Sequence, residues 1–131
     1  MCIRDRTSGL ERILRHASAR HGGEDWWVQR VTALALVPLS LWFCVSMLLT
    51  PAMGYFAVRA WMTRPWNTVL LVAFILVAAY HSYLGLRVVV EDYVHEAGMR
   101  IALVLLIRFV YVLSAARAVL AVCVVAFGGL P

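Results

Sequence analysis

The sequence predicts an all-α membrane protein of three transmembrane helices, and three observations predict it. The 131 residues are 63% hydrophobic with mean hydropathy +0.83, against about 45–50% apolar residues in soluble domains. Only 15% are charged, where soluble proteins carry about 25%. The apolar residues also gather in three runs, each matching the roughly 20 residues a helix needs to cross the hydrocarbon core. Three such spans with short connections use the whole length, so a single unit is expected.

Residues 1–6, MCIRDR, are what the end of a sequencing-library adapter would encode if read in frame, and they are expected to be foreign to the rest. No apolar run follows the first basic residues, so no cleavable signal peptide is expected. Residues 7–25 are the N-terminal cytoplasmic segment. Within it, LERILRHASAR at 10–20 puts Leu10, Ile13, Leu14 and Ala17 on one helical face. That pattern suits either a short amphipathic helix on the membrane surface or a mobile polar tail. Gly22 and Gly23 are expected to end it.

Residues 26–131 form the membrane anchor. Trp26 and Trp27 have the chemistry of an interfacial belt, and Arg30 stands at the mouth of the first span, where snorkelling accounts for it. The first span covers about 31–50, twenty residues without a charge. Pro38 should kink it, since a packed membrane helix tolerates proline at the cost of a bend. Pro51 ends it, and 52–66, with Tyr55, Phe56, Trp61 and Trp66, reads as an interfacial loop or half-turn. The second span covers about 69–90, with Arg87 snorkelling from its end. A polar link, EDYVHEAGMR, is expected to turn around Gly98, and the third span covers about 101–127 with Arg108 and Arg117 embedded.

All twelve basic residues are arginine. Six of them (Arg12, Arg15, Arg20, Arg30, Arg87 and Arg100) flank the N-terminus and the second link, against Arg59 and Arg64 in the first link. The positive-inside rule then places the N-terminus and residues 91–100 on the cytoplasmic side (the matrix side in a mitochondrion). The formal charge of +5 suits a lipid bilayer or an acidic partner surface; no nucleic acid is expected, because no basic cluster meets aromatic residues in a soluble fold. Cys2, Cys44 and Cys123 show no metal or disulfide spacing.

The stretch YHSYLGLRVVVEDY at 80–93 carries the chemistry. Helical spacing sets His81, Gly85, Val88 or Val89 and Asp92 on one stripe, with His81 about 16 Å deeper than Asp92. A neutral imidazole at that depth needs a partner. It can hydrogen-bond a neighbouring helix, or it can bind a metal; Gly85, one turn on, leaves room for a flat macrocycle such as haem, whose commonest axial ligand is imidazole. A single histidine supplies one ligand, and the second has to come from another chain. Tyr93 and Asp92, at the helix exit, read as an interfacial tyrosine beside a solvated acid. Alternatively, Tyr93 donates to a carbonyl of a lipid-soluble ligand while Asp92 orients a cation. His95, on the link, is a solvated loop histidine or a proton supplier.

The spacing His81, Gly85, Asp92, Tyr93, Arg100, together with WWVQRVTALALVPLSLW at 26–42, resembles the smaller hydrophobic membrane-anchor subunits of alphaproteobacterial succinate dehydrogenase, respiratory complex II. The resemblance covers roughly residues 24–127. It implies that His81 provides one axial ligand to haem b, with the other from the partner cytochrome b anchor. It implies that Tyr93 hydrogen-bonds ubiquinone beside the iron–sulfur subunit, that Asp92 orients an arginine of the partner, and that Arg30 stands near the haem propionates. The chain would then catalyse nothing alone: it docks the flavoprotein and iron–sulfur subunits and completes the quinone site in the bacterial inner membrane. Two other readings stay open: a fumarate reductase anchor, and a haem-free structural or transporter subunit with His81 in an interhelical hydrogen bond.

Overall fold

A computed structural model describes residues 9–50 and 54–128, with side chains from residue 23 onward. The expectations on residues 1–6, on Cys2, on Pro51 and on the apolar face of 10–20 lie outside the described residues and side chains. The described chain is helical: α1 (Gly9–Leu48), α2 (Tyr55–Met62), α3 (Pro65–Tyr93) and α4 (Ala97–Ala126). Three stretches, Gly23–Leu48, Pro65–Tyr93 and Ala97–Ala126, are long and apolar enough to cross a membrane.

The N-terminal segment departs from expectation. Gly22 and Gly23 do not end a helix; α1 runs unbroken through them and through Pro38. Two glycines cost a helix roughly 1 kcal/mol each relative to alanine, and helix-compatible sequence on both sides propagates across them. A 40-residue helix is about 60 Å long, twice the thickness of a hydrocarbon core. The surface segment and the first span are therefore one continuous helix.

The aromatic connection is a two-turn helix, not a loop. Its orphan C-terminal carbonyls are capped by the start of α3: Asn67 Nδ2 donates to the Trp61 carbonyl at 2.9 Å and Thr68 Oγ1 to the Met62 carbonyl at 2.6 Å. Pro65 opens α3 at a position that needs no N–H, and Arg64 before it is extended, as a residue preceding proline should be. Trp61 of α2 stacks on Trp42 of α1 at 5.6 Å between ring centroids, and Phe43 stacks on Phe74 at 5.4 Å. These rings pin α1, α2 and α3 together at one end.

The second turn lies at 94–96, not at Gly98. Val94 and Glu96 are both extended, and Gly98 is already inside α4. A β-branched valine favours that backbone, so three residues reverse the chain. At the far end of α4, Gly128 takes φ +92°, the left-handed conformation that closes helices.

Helix α3 is the hub. It packs against α1 on one side and α4 on the other, while α1 and α4 do not meet among the described residues. Only Leu84 and Val122 of the described residues are buried. Three helices in a row enclose almost nothing, and their apolar surface faces lipid or other chains. Cys44 and Cys123 are free thiols.

Candidate functional site in the α1–α3 seam

Helices α1 and α3 run antiparallel, and three successive turns of one face three turns of the other. Thr32 stands opposite His81, Gln29 opposite Gly85, and Asp25 opposite Arg87. The spacing of four and three along α1 keeps Asp25, Gln29 and Thr32 on one stripe. That polar stripe meets the His81 stripe of α3.

At the deepest turn, Thr32 Oγ1 and His81 Nδ1 are 3.0 Å apart. The same oxygen lies 2.8 Å from the Val28 carbonyl and 3.0 Å from the Gln29 carbonyl of its own helix. The hydroxyl proton goes back to those carbonyls, the usual habit of threonine in a helix. With its proton there, the hydroxyl oxygen can accept from His81 Nδ1–H, the tautomer in which Nε2 carries the lone pair. Such an imidazole is a competent metal ligand.

One turn nearer the membrane exit, a cavity of about 420 Å³ opens between the helices, lined among others by Trp26, Gln29, Gly85, Arg87 and Val88. Gly85 does open onto space, as its missing side chain predicts, but Gln29 shares it: a Cβ on Gly85 would sit 3.5 Å from Gln29 Nε2. Gln29 Oε1 is buried without a hydrogen-bond partner. An orphaned amide oxygen costs about 1–3 kcal/mol, and the amide can present either its oxygen or, turned over, its NH₂ to a ligand. His81 does not line this cavity but stands one turn deeper on the same seam; an imidazole there, Gly85 beside open space and the orphaned amide oxygen of Gln29 are compatible with a haem on this seam. Among the described residues no three metal-ligating side chains cluster.

The third turn is ionic. Arg87 Nη1 lies 3.1 Å from Asp25 Oδ2, and its Nε donates to Glu91 Oε1 at 2.8 Å. Arg87, expected merely to snorkel, clamps α1 to α3.

The remaining predicted site residues stand apart. Asp92 shares the His81 stripe but is exposed, and Tyr93, the last residue of α3, is 79% exposed. Arg30 is two residues from Thr32 and so points to another side of α1. Its guanidinium lies 4.5 Å above the Trp26 ring, and among the described residues nothing brings it to His81. Thr32, Gln29 and Asp25 went unnoticed in the sequence, although polar residues spaced four and three apart at the head of an apolar span are a readable signal. A second cleft of about 370 Å³ between α3 and α4 is lined by Tyr80, Tyr83, Arg108 and Tyr111 among others. The ring centroids of Tyr83 and Tyr111 are 6.3 Å apart.

Comparison with known proteins follows the same lines. The profile of the family described as succinate dehydrogenase/fumarate reductase transmembrane subunit matches residues 4–115. The chain is 32% identical over 92 residues to the succinate dehydrogenase hydrophobic membrane anchor subunit of Rickettsia conorii, covering 70% of this chain and 73% of that one. It is 28% identical to the Rickettsia typhi subunit of the same name, over 81% of this chain and 85% of that one. With the succinate dehydrogenase membrane anchor subunit of Reclinomonas americana the identity is 30%, over 76% and 86% of the two chains. No solved structure matches the chain.

Proposed function

Because the chain belongs to the succinate dehydrogenase/fumarate reductase transmembrane subunit family, we propose that it is the small anchor that holds the soluble half of succinate dehydrogenase on the membrane. Its partners are a second anchor, the cytochrome b subunit, and the iron–sulfur and flavoprotein subunits. The family description also covers fumarate reductase; the names of the similar relatives favour the succinate direction. The extensive exposed apolar surface of all three spans fits a chain completed by a neighbour as well as by lipid. With arginines six to two in favour of the N-terminal side, the N-terminus and the 94–96 turn face the cytoplasm of a bacterial inner membrane and the C-terminus faces the periplasm.

One observation supports the haem assignment: Thr32 Oγ1 lies 3.0 Å from His81 Nδ1, a contact that, with the proton on Nδ1, offers the Nε2 lone pair to a metal. In this reading His81 would hold the iron of haem b together with a residue of the cytochrome b anchor, and Gly85 and Gln29 would border the macrocycle. Bound there, haem b supplies a one-electron redox centre within the membrane. Arg30, stacked on Trp26 at the membrane mouth, would offer its charge to the propionates.

Ubiquinone is the substrate at the surface exit of α3. Succinate oxidation in the flavoprotein subunit releases two electrons, which the iron–sulfur subunit passes on. Ubiquinone accepts them with two protons from the cytoplasmic side and leaves as ubiquinol. Tyr93, exposed at the end of α3, donates a hydrogen bond to a quinone carbonyl as negative charge grows on it. Asp92 beside it orients a partner's cation.

The test is a dithionite-reduced minus oxidised spectrum of the co-expressed complex, native against His81→Ala. A b-type band that weakens or shifts in the variant supports ligation. Identical spectra would leave His81 as an interhelical hydrogen bond and nothing more.

A further inference from the structure

Resting on the reading of His81 as an iron ligand, we infer that Thr32 is its positioning residue: the α1 hydroxyl holds the imidazole as its Nδ1–H tautomer and tunes the basicity of Nε2. The argument is one of proton counting. Thr32 Oγ1 has three close neighbours, the Val28 carbonyl at 2.8 Å, the Gln29 carbonyl at 3.0 Å and His81 Nδ1 at 3.0 Å. A hydroxyl carries one proton. The carbonyls can only accept, so a proton turned towards Nδ1 leaves both of them facing bare hydroxyl lone pairs. With the proton on the carbonyls, all three contacts are satisfied, provided that Nδ1 carries the hydrogen.

The β-branch strengthens the arrangement. In a helix, threonine settles in the few rotamers that let Oγ1 reach the carbonyls three and four residues back. Its lone pairs are thereby fixed outward, across the seam, before His81 arrives. The polar contact then works at a distance from the metal. A hydrogen bond accepted from Nδ1–H leaves more electron density on the ring and makes Nε2 a stronger donor. A stronger donor favours ferric over ferrous iron, so Thr32 lowers the potential of the haem that His81 holds. Residues in this role are worth roughly 10- to 100-fold in metal affinity.

The test uses the co-expressed complex in membranes with Thr32→Val, Thr32→Ser and Thr32→Ala, each scored by redox titration of the haem, by the ferric electron paramagnetic resonance signal and by haem retained per flavin. Thr32→Val keeps the shape and loses the hydroxyl; it should raise the midpoint potential, shift the resonance and weaken haem retention roughly 10- to 100-fold. Thr32→Ser should restore all three readouts. Thr32→Ala should follow valine, which shows that the added methyl is not the cause and serves if the valine variant assembles poorly. Native potentials in valine and alanine variants, alongside a band lost in His81→Ala, would overturn the role of Thr32 and leave His81 a ligand. Serine behaving like valine would overturn it as well, since packing and not the hydroxyl would be the cause. A native spectrum in His81→Ala would bring down the ligand reading itself, and this inference with it.

Discussion

The two ends of the α1–α3 pair are built on opposite plans. Towards the 94–96 turn the seam is polar: Thr32 meets His81, Gln29 faces Gly85, Asp25 pairs with Arg87, and a cavity opens beside the last two pairs. Towards α2 the same helices are joined by rings, Trp42 on Trp61 and Phe43 on Phe74. In lipid, apolar side chains gain no hydrophobic free energy by leaving one apolar medium for another; dispersion and geometry hold helices together instead. Flat rings deliver both without leaving a polar group unpaired. The polar end carries a buried amide without a partner, a cost that packing alone does not explain. The contrast teaches that one end is closed by packed rings while the other keeps an open cavity and an unpaired polar atom.

Substitutions at the two ends should therefore separate cofactor and quinone chemistry from stability. The largest effect is expected at Gly85: leucine there fills the cavity, and the purified complex should lose most of its haem by pyridine haemochrome assay. Gly85→Ala meets only ordinary contact with Gln29 and should keep its haem. Next comes Tyr93→Phe, which removes one exposed hydroxyl; ubiquinone reduction should fall roughly 10-fold or more with succinate oxidation by an artificial acceptor unchanged. At the aromatic end, Trp61→Ala should lower the thermal midpoint of the complex by an amount equivalent to about 1–3 kcal/mol, with an unaltered haem spectrum. The smallest effect is expected from Asp25→Asn. The pair it breaks is partly exposed, with side-chain exposures of 28% and 38%, so its contribution stays within about 1 kcal/mol and fades with salt. Loss of haem in Trp61→Ala, or a strong fall in stability in Tyr93→Phe, would erase the division between the ends.

Much of this was legible beforehand, for physical reasons. Runs of twenty apolar residues announce membrane helices because lipid offers the backbone no other partner, and an imidazole within such a run stands out by its cost. The breaks were less legible. Gly22 and Gly23 looked like a stop, yet glycine only weakens a helix whose flanks favour it. Gly98 looked like the turn, yet the β-branched Val94 and a three-residue link did the work. The α2 helix was hidden because its C-terminal end is capped by Asn67 and Thr68 of the next helix, partners that local reading does not reach. Thr32 and Gln29 are legible as a polar stripe on α1, but not the residues they face, because α3 supplies those. The exposed positions of Asp92, Tyr93 and Arg30 follow from a chain that presents these groups outward.

The polar half of the α1–α3 seam joins residues far apart in the chain, and that separation sets the order in which it can form. During synthesis α1 enters the membrane first, and Thr32 can satisfy itself meanwhile through the Val28 carbonyl of its own helix. His81 is translated about fifty residues later, which at roughly 5–20 residues per second leaves a newborn first span waiting about 3–10 s for its mate. Gln29 has no such provision for its amide oxygen, and the arrival of α3 does not supply one. Thr32 thus enters the membrane already satisfied within its own helix, while Gln29 stays unsatisfied before and after α3 takes its place.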